Sequence, residues 1–152
     1  ALVALGLAYL GLEYQTLTRL LTGRRKHELE VLDLDALRAE LERVLGFPVR
    51  FSTFDAGDPY VVSFSFAHPA PDPFALTLTI KWKTINLALL YLPKHLRGKG
   101  YGRRVVESLL GWAGQQGFQQ VVLTSTPEIA PMWKKLGFES VDFITYVYPL
   151  GR

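Results

Sequence analysis

The hydrophobic pattern of this chain changes period once, and that change limits the folds it can adopt. The first part of the pattern consists of four segments rich in β-branched and aromatic residues, separated by short polar breaks, at residues 49–54, 60–66, 74–82 and 85–92. Consecutive strands with short connections predict an antiparallel meander. We place the turn between the last two strands at Lys83 and Thr84.

The second part of the pattern alternates helix and strand. Apolar residues recur at helical spacing from Val105 to Ala113, and a short apolar segment typical of a buried strand follows at 119–125. A strand, a helix and a strand in succession favour a parallel pair with a right-handed crossover. A short helix within "APMWKKLGF" and a last strand at 143–150 complete the pattern. The fold class is therefore α/β (α+β), with flanking helices around a mixed sheet.

An amphipathic helix precedes the meander. The segment "DLDALRAELERVLG" has an apolar stripe at helical spacing, an aspartate at its start and Gly46 at its end. Aspartate accepts hydrogen bonds from free N–H groups at a helix start, and glycine allows the left-handed conformation that ends a helix. The segment is thus predicted as a capped helix that buries one face.

The first 24 residues are predicted to be separate from the main domain. The run "ALVALGLAYLGLEYQTLTRLL" has no charge before Glu13, but a bilayer span needs about 20 apolar residues. We predict an apolar helix at 1–24 that packs on the domain or on a second copy in a homodimer, and no membrane span. Residues 25–152 are predicted as a single domain.

Composition excludes several kinds of site. The chain has 152 residues, 49% of them hydrophobic, which is enough for one domain with a real core. It has no cysteine, so it cannot have a disulfide framework, a thiolate metal site or a cysteine nucleophile. With only three scattered histidines, we expect no metal. Cysteine-free composition also fits a cytoplasmic location, which we predict.

Charge is concentrated where the predicted strand meets the predicted helix. Residues 1–74 carry 7 basic and 10 acidic groups, whereas residues 75–152 carry 10 basic and 4 acidic groups. The corner "LPKHLRGKGYGRR", residues 92–104, holds five basic side chains, one histidine, three glycines and no acid. The free N–H groups and dipole of a helix start attract anions, and glycines let an anion approach the backbone. The corner therefore predicts a diphosphate site.

Other interpretations of this corner are weaker. A P-loop needs G-x-x-x-x-G-K-[ST], which is absent, and a dinucleotide fingerprint would require glycine where Arg103 stands. A tight turn with solvated charge is the plain alternative. Nucleic-acid binding would favour basic and aromatic residues spread over a surface, so we expect no nucleic-acid partner.

The segment R-G-K-G-Y-G, residues 97–102, fits the pattern [Q/R]-x-x-G-x-[G/A] and resembles that of the GNAT superfamily of acyl-CoA-dependent N-acetyltransferases. "LLYLP" before it and "APMWKKLGFE" after it are also similar to family segments, so residues 85–140 carry the resemblance. It implies a mostly antiparallel central sheet with a splayed parallel strand pair. It further implies transfer of an acetyl (acyl) group from acetyl-CoA to a primary amine of a small molecule or protein, by direct attack on the bound thioester.

The resemblance also implies which residues bind coenzyme A. Backbone amides after the strand would hold the diphosphate, and pantetheine would enter the gap between the two parallel strands. The implied binding residues are Leu90, Tyr91, Leu92, Arg97, Gly98, Lys99, Gly100, Tyr101, Gly102 and Arg103.

The chain departs from the family at the proton donor. Many members have a tyrosine that protonates the leaving thiolate, and the matching residue here is Trp133. Ser125 and Tyr146 are the alternative catalytic residues, with Tyr148 as another substitute. The general base is open among His95, Glu128, Asp142 and water. These departures leave a catalytically silent acyl-CoA-binding sensor or regulatory module as the alternative function.

Overall fold

Seven strands form one sheet in the computed structural model, which describes residues 32–55 and 60–151. The helix predicted at 1–24 lies outside the described residues. Within them the elements are α1 (Leu34–Leu45), β1 (Val49–Asp55), β2 (Tyr60–Phe66), β3 (Ala75–Lys81), β4 (Thr84–Tyr91), a 3₁₀ helix (Lys94–Leu96), α2 (Tyr101–Gln115), β5 (Gln120–Thr124), α3 (Ala130–Lys135), β6 (Glu139–Ser140) and β7 (Thr145–Pro149).

The strand order is β1-β2-β3-β4-β5-β7-β6, and β4 with β5 is the one parallel pair in the part of the chain that the structure describes. This confirms the predicted meander, the crossover through α2 and the mixed sheet. Two short elements were not predicted, namely the 3₁₀ helix and β6. Each has only two or three residues, too few for a hydrophobic period to show.

One face of the sheet forms the core. Facing residues in neighbouring strands, such as Phe64 and Leu76 or Ile80 and Ile85, are almost fully buried. Side chains alternate along a strand, so residues two apart share this face and the intervening ones lie on the other. Burial of each such side chain contributes about 1.5–3 kcal/mol. Hydrophobic burial therefore fixes the register that places the end of β4.

Helix α1 starts and ends as predicted. Asp33 Oδ1 accepts a hydrogen bond from the Ala36 N–H at 3.0 Å, and Gly46 has a φ of 76° with its N–H donating to Glu42 O. The indole Nε1 of Trp112, on α2, donates to Asp33 O at 2.7 Å. Both caps are thus complete, and the start of α1 is bonded to α2.

The turn between β3 and β4 lies one residue earlier than predicted. Lys81 pairs with Thr84, so the two turn residues are Trp82 and Lys83 rather than Lys83 and Thr84. Trp82 has a φ of 55°, the one positive φ among the described residues that are not glycine. Threonine favours strands and tryptophan gives no turn signal, which explains the error.

Among the described residues, no helix is long and apolar enough to cross a membrane.

Candidate active site

The parallel strands β4 and β5 pair only at their beginnings. Their register runs from Thr84 with Gln120 to Asn86 with Val122 and then stops. Beyond that point β5 continues its pairing with β7, and the Ser125 N–H donates to Ile144 O at 2.8 Å. The later residues of β4 therefore lie beside a gap where the pairing of a parallel sheet would otherwise continue.

A β-bulge lies at the point where the gap opens. Thr77 of β3 faces Leu89, but the next residue, Leu78, faces Leu87, so Ala88 has no partner of its own. A bulge bends its strand and re-aims the groups that follow it. It therefore turns the end of β4 relative to β5. The sequence carries no signal for this bulge, since Ala88 is neither glycine nor proline.

Two glycines shape the corner that follows β4. Gly98 has a φ of 73°, and Gly100, the N-cap of α2, has a φ of 84°. Only glycine adopts such angles without strain. Gly102 serves close packing instead, since a Cβ there would lie 3.3 Å from Cδ1 of Leu92. The three glycines thus have two different structural reasons.

Residues 98–103 expose a run of backbone donors. The first helical hydrogen bond of α2 joins the Arg104 N–H to Gly100 O at 3.1 Å. None of the six N–H groups before it donates to another described residue, and the N-cap has no side-chain hydrogen bond. A helix start adds roughly half a positive charge at this point. Together these groups are a candidate backbone anion site.

Basic side chains surround these donors. Arg103 Nε is 2.8 Å from Glu107 Oε1 in an exposed ion pair, and the Arg104 guanidinium lies 5.6 Å from the ring centre of Tyr101. Lys99 makes no hydrogen bond or ion pair with another described residue. Because these cations are exposed and only partly paired, they remain free to meet an anion.

The ten residues predicted to bind coenzyme A form one continuous stretch of structure, from the end of β4 through the corner to the first turn of α2. Leu90, Tyr91 and Leu92 are half-buried beside the gap, whereas residues 97–100 are exposed. The structure therefore brings the predicted binding residues together.

Asp72 belongs to the same corner but was not predicted. It lies in the connection between β2 and β3, and its carboxylate accepts hydrogen bonds from the Lys94 N–H at 2.5 Å and the Tyr91 hydroxyl at 3.1 Å. The Lys94 N–H, then the Tyr91 hydroxyl and the nearby cations Arg97 and Lys94, lower the pKa of Asp72. An aspartate in a proline-rich loop gives no sequence signal for a partner about 20 residues away.

Ser125 directly follows β5, and Tyr146 lies on the neighbouring strand β7, close to the end of β5. Thr124 pairs with Thr145, so Tyr146 follows directly on the neighbouring strand and faces Leu123. Both side chains are buried. Ser125 Oγ already donates to Thr126 O at 2.9 Å.

Trp133 is buried with an unpaired polar atom. Its ring packs edge-on against Phe138, with centroids 5.5 Å apart, and Phe138 packs against Tyr148. The indole Nε1 is the one enclosed side-chain nitrogen or oxygen within residues 32–55 and 60–151 that lacks a hydrogen-bond partner. An unpaired buried donor costs about 1–3 kcal/mol, so it requires an explanation.

The candidate general bases differ in the hydrogen bonds that they accept and in their exposure. Asp142 Oδ1 accepts hydrogen bonds from the Ile144 and Thr145 N–H groups at 2.9 and 2.8 Å, which lower its pKa. The pKa of Glu128 is also lowered, by a backbone hydrogen bond and by Thr126. A lowered pKa makes a carboxylate a weaker base. His95 is exposed in the 3₁₀ helix.

A groove lies between α2 and α3, next to the anion site. Its volume is about 220 Å³, and its lining residues are Arg103, Met132, Lys135 and Leu136. The described residues contain no group of three or more histidine, aspartate or glutamate side chains placed to hold a metal ion.

A sequence comparison with family models identifies one match. The model described as the acetyltransferase (GNAT) family covers residues 58–138, more than half of the chain. That range includes β4, the corner, β5 and α3. A comparison with curated proteins finds no match.

Several solved structures are also similar to the chain. An acetyltransferase from Bacillus cereus has 14% identity and a TM-score of 0.49, covering 92% of this chain and 93% of that one. The ribosomal-protein-S18-alanine N-acetyltransferase from Escherichia coli has 11% identity and a TM-score of 0.49, covering 68% and 95%. PaiA N-acetyltransferase from Thermoplasma acidophilum, in complex with coenzyme A, has 13% identity and a TM-score of 0.45, covering 59% of each chain.

Proposed function

This chain belongs to the acetyltransferase (GNAT) family, and we propose that it transfers the acetyl group of acetyl-CoA to a primary amine of a small molecule or a protein. The observation that carries this proposal is the run of six N–H groups at residues 98–103, which have no acceptor within residues 32–55 and 60–151 and lie among basic side chains. A diphosphate has the charge and the size to accept several of these donors at once.

The gap between β4 and β5 suits the rest of the donor. Pantetheine contains two amide groups, which can pair with the backbone that β4 and β5 leave unpaired beyond Asn86 and Val122. The thioester would then lie near the bulge at Ala88. A backbone N–H of β4 aimed at the thioester carbonyl would stabilise negative charge as it develops on that oxygen.

The reaction would proceed by direct attack. The amine nitrogen forms a bond to the thioester carbon, the carbon–sulfur bond breaks, and coenzyme A leaves as a thiolate. The amine loses one proton, to water in this proposal because Asp142 and Glu128 have lowered pKa values. Binding both reactants in one orientation would supply much of the rate.

We assign protonation and hydrogen bonding of the leaving thiolate to Tyr146, Trp133 and Ser125. Tyr146 is the favoured proton donor because its side chain carries a hydroxyl that can give up a proton and it lies on β7 facing Leu123, next to the end of β5. The Trp133 indole cannot give up its proton at neutral pH, but its unpaired N–H can donate a hydrogen bond to the sulfur. The Ser125 hydroxyl would first have to leave Thr126 O.

Two measurements test this function. Acetyl-CoA should raise the thermal midpoint of the protein, because a ligand that binds only the folded state stabilises it. Thiol release should then be detected with at least one member of a panel of primary amines. No thermal shift at saturating acetyl-CoA contradicts the proposal. A thermal shift without thiol release for any amine or peptide favours the alternative of an acyl-CoA-binding sensor. The observation that supports this alternative is Trp133, which stands where many family members have a tyrosine.

Substitution of Trp133 offers a sharper test of the proton donor. Trp133→Tyr introduces a hydroxyl that can be a proton donor, with Tyr146→Phe as the matched variant that removes one. We expect Tyr146→Phe to lower thiol release about tenfold or more and Trp133→Tyr to restore part of it. If Tyr146→Phe leaves the rate unchanged, Tyr146 is not the proton donor.

A further inference from the structure

Asp72 connects the loop before β3 to the corner after β4. Its Oδ1 accepts from the Tyr91 hydroxyl at 3.1 Å, and its Oδ2 accepts from the Lys94 N–H at 2.5 Å. These partners lie 19 and 22 residues further along the chain. One carboxylate thus holds both the last residue of β4 and the first residue of the 3₁₀ helix.

The same network reaches Arg97 through Tyr91. The Arg97 guanidinium carbon lies 4.8 Å from the centre of the Tyr91 ring, and Arg97 Nε donates to Leu92 O at 2.9 Å. A guanidinium has five N–H donors, of which this contact uses one. The described residues give the two terminal amino groups of Arg97 no hydrogen bond and no ion pair.

We propose that Asp72 is a positioning residue, which holds Tyr91 and the Lys94 backbone so that Arg97 is fixed in place to receive the diphosphate of coenzyme A. This inference rests on the proposed function, since it takes that diphosphate as the ligand. An arginine loses side-chain freedom when it binds an anion, and a side chain already held by its neighbours loses less. Asp72 would therefore raise affinity without touching the ligand.

The charge of Asp72 acts in the opposite direction. A carboxylate close to Arg97 weakens the attraction of the corner for an anion. If charge alone mattered, removal of Asp72 would tighten the binding of coenzyme A. If positioning dominates, removal weakens it. The two effects therefore differ in sign.

Calorimetric titration with coenzyme A tests the proposal. We expect Asp72→Ala to raise the Kd about tenfold and Arg97→Ala to raise it by a similar factor. The double variant should bind no more weakly than Arg97→Ala, because Asp72 acts through Arg97. Tyr91→Phe, which keeps the ring but loses the hydroxyl, should give an intermediate loss. Asp35→Ala, which removes an exposed carboxylate bonded to Arg38 on α1, is the matched control and should leave the Kd unchanged.

Several outcomes overturn the inference. An unchanged or lower Kd in Asp72→Ala shows that Asp72 does not position the site. Losses that multiply in the double variant show that Asp72 supports the fold of the corner rather than Arg97. Thermal midpoints measured without ligand show whether each variant is folded at the titration temperature. If Asp72→Ala is not folded, Asp72→Asn takes its place. Failure of the wild type to bind coenzyme A would instead refute the proposed function itself.

Discussion

Two regions of this molecule use the same kinds of residue to opposite ends. Around α1, a positive-φ glycine and a buried tryptophan both have their partners: Gly46 donates to Glu42 O, and Trp112 donates to Asp33 O. At the corner and in α3, Gly100 lies within a run of N–H groups that have no acceptor among the described residues, and Trp133 Nε1 has no partner there either. The first region is complete in itself, whereas the second leaves donors free.

The difference separates structural residues from candidate binding residues better than residue type does. Buried donors are almost always paired in native proteins, because leaving one unpaired costs free energy. Trp133 Nε1 is such a buried donor among the described residues, whereas the N–H groups of residues 98–103 lie in a largely exposed segment where water can also accept them. That a ligand supplies acceptors in this region is the interpretation that follows from the proposed function. Substitutions of matched residues in the two regions test this interpretation.

The largest difference is expected for the two glycines. Glutamate at either position adopts a strained positive φ, which costs about 1–2 kcal/mol. At Gly100 it also places a negative charge at the anion site. Like charges in contact cost several kcal/mol, so Gly100→Glu should weaken coenzyme A binding by at least about 100-fold. Calorimetric titration measures this loss.

Gly46→Glu is the matched control for strain. Neither glycine has an atom near the position of a new Cβ, so the two substitutions meet no steric clash there. We expect a similar loss of unfolding free energy in both variants and unchanged affinity for coenzyme A in Gly46→Glu. Equal affinity losses in the two variants would show that strain, rather than a diphosphate site, explains the result.

For the two tryptophans, the larger loss of unfolding free energy is expected in the first region, at Trp112. Trp112→Phe loses a hydrogen bond and leaves Asp33 O without its donor, which costs about 1–3 kcal/mol. Trp133→Phe also loses contacts but removes a donor that was already unpaired. Its loss of unfolding free energy, measured with denaturant, should therefore be the smaller one.

For activity, the larger loss is expected in the second region, at Trp133. Loss of a hydrogen bond to the leaving sulfur should lower thiol release in Trp133→Phe about tenfold, which corresponds to 1.4 kcal/mol. Trp112→Phe should keep the wild-type rate wherever it is folded. If Trp133→Phe is fully active, its free N–H has no part in the reaction.

Sequence patterns predicted the parts of the molecule that depend on local rules. Hydrophobic periods located all the longer strands, and Asp33 and Gly46 marked the ends of α1, because capping needs particular residue types. The glycines and charges of the corner led by the same local reasoning to an anion site, which stays a prediction. Each of these features is fixed by residues close together in the chain.

The features missed by sequence analysis depend on contacts between distant segments. The bulge at Ala88 results from register between β3 and β4, and the bonds of Asp72 join residues about 20 positions apart. The unpaired state of Trp133 Nε1 can be seen only once its surroundings are known. Tertiary packing decides these features, and no residue type signals them.

The smallest expected effect concerns the carboxylate that supports the second region. Because hydrogen bonds lower the pKa of Asp72 in the folded protein, its charged form stabilises the fold at pH values above its unfolded pKa near 4. That contribution is lost as the pH falls through the lowered folded value. Asp72→Asn cannot titrate, so its thermal midpoint should be below that of the wild type at pH 6, and the difference should shrink as the pH falls below 4. Midpoints recorded from pH 6 to pH 3 measure it, and a constant difference would show that the charge of Asp72 does not stabilise the corner.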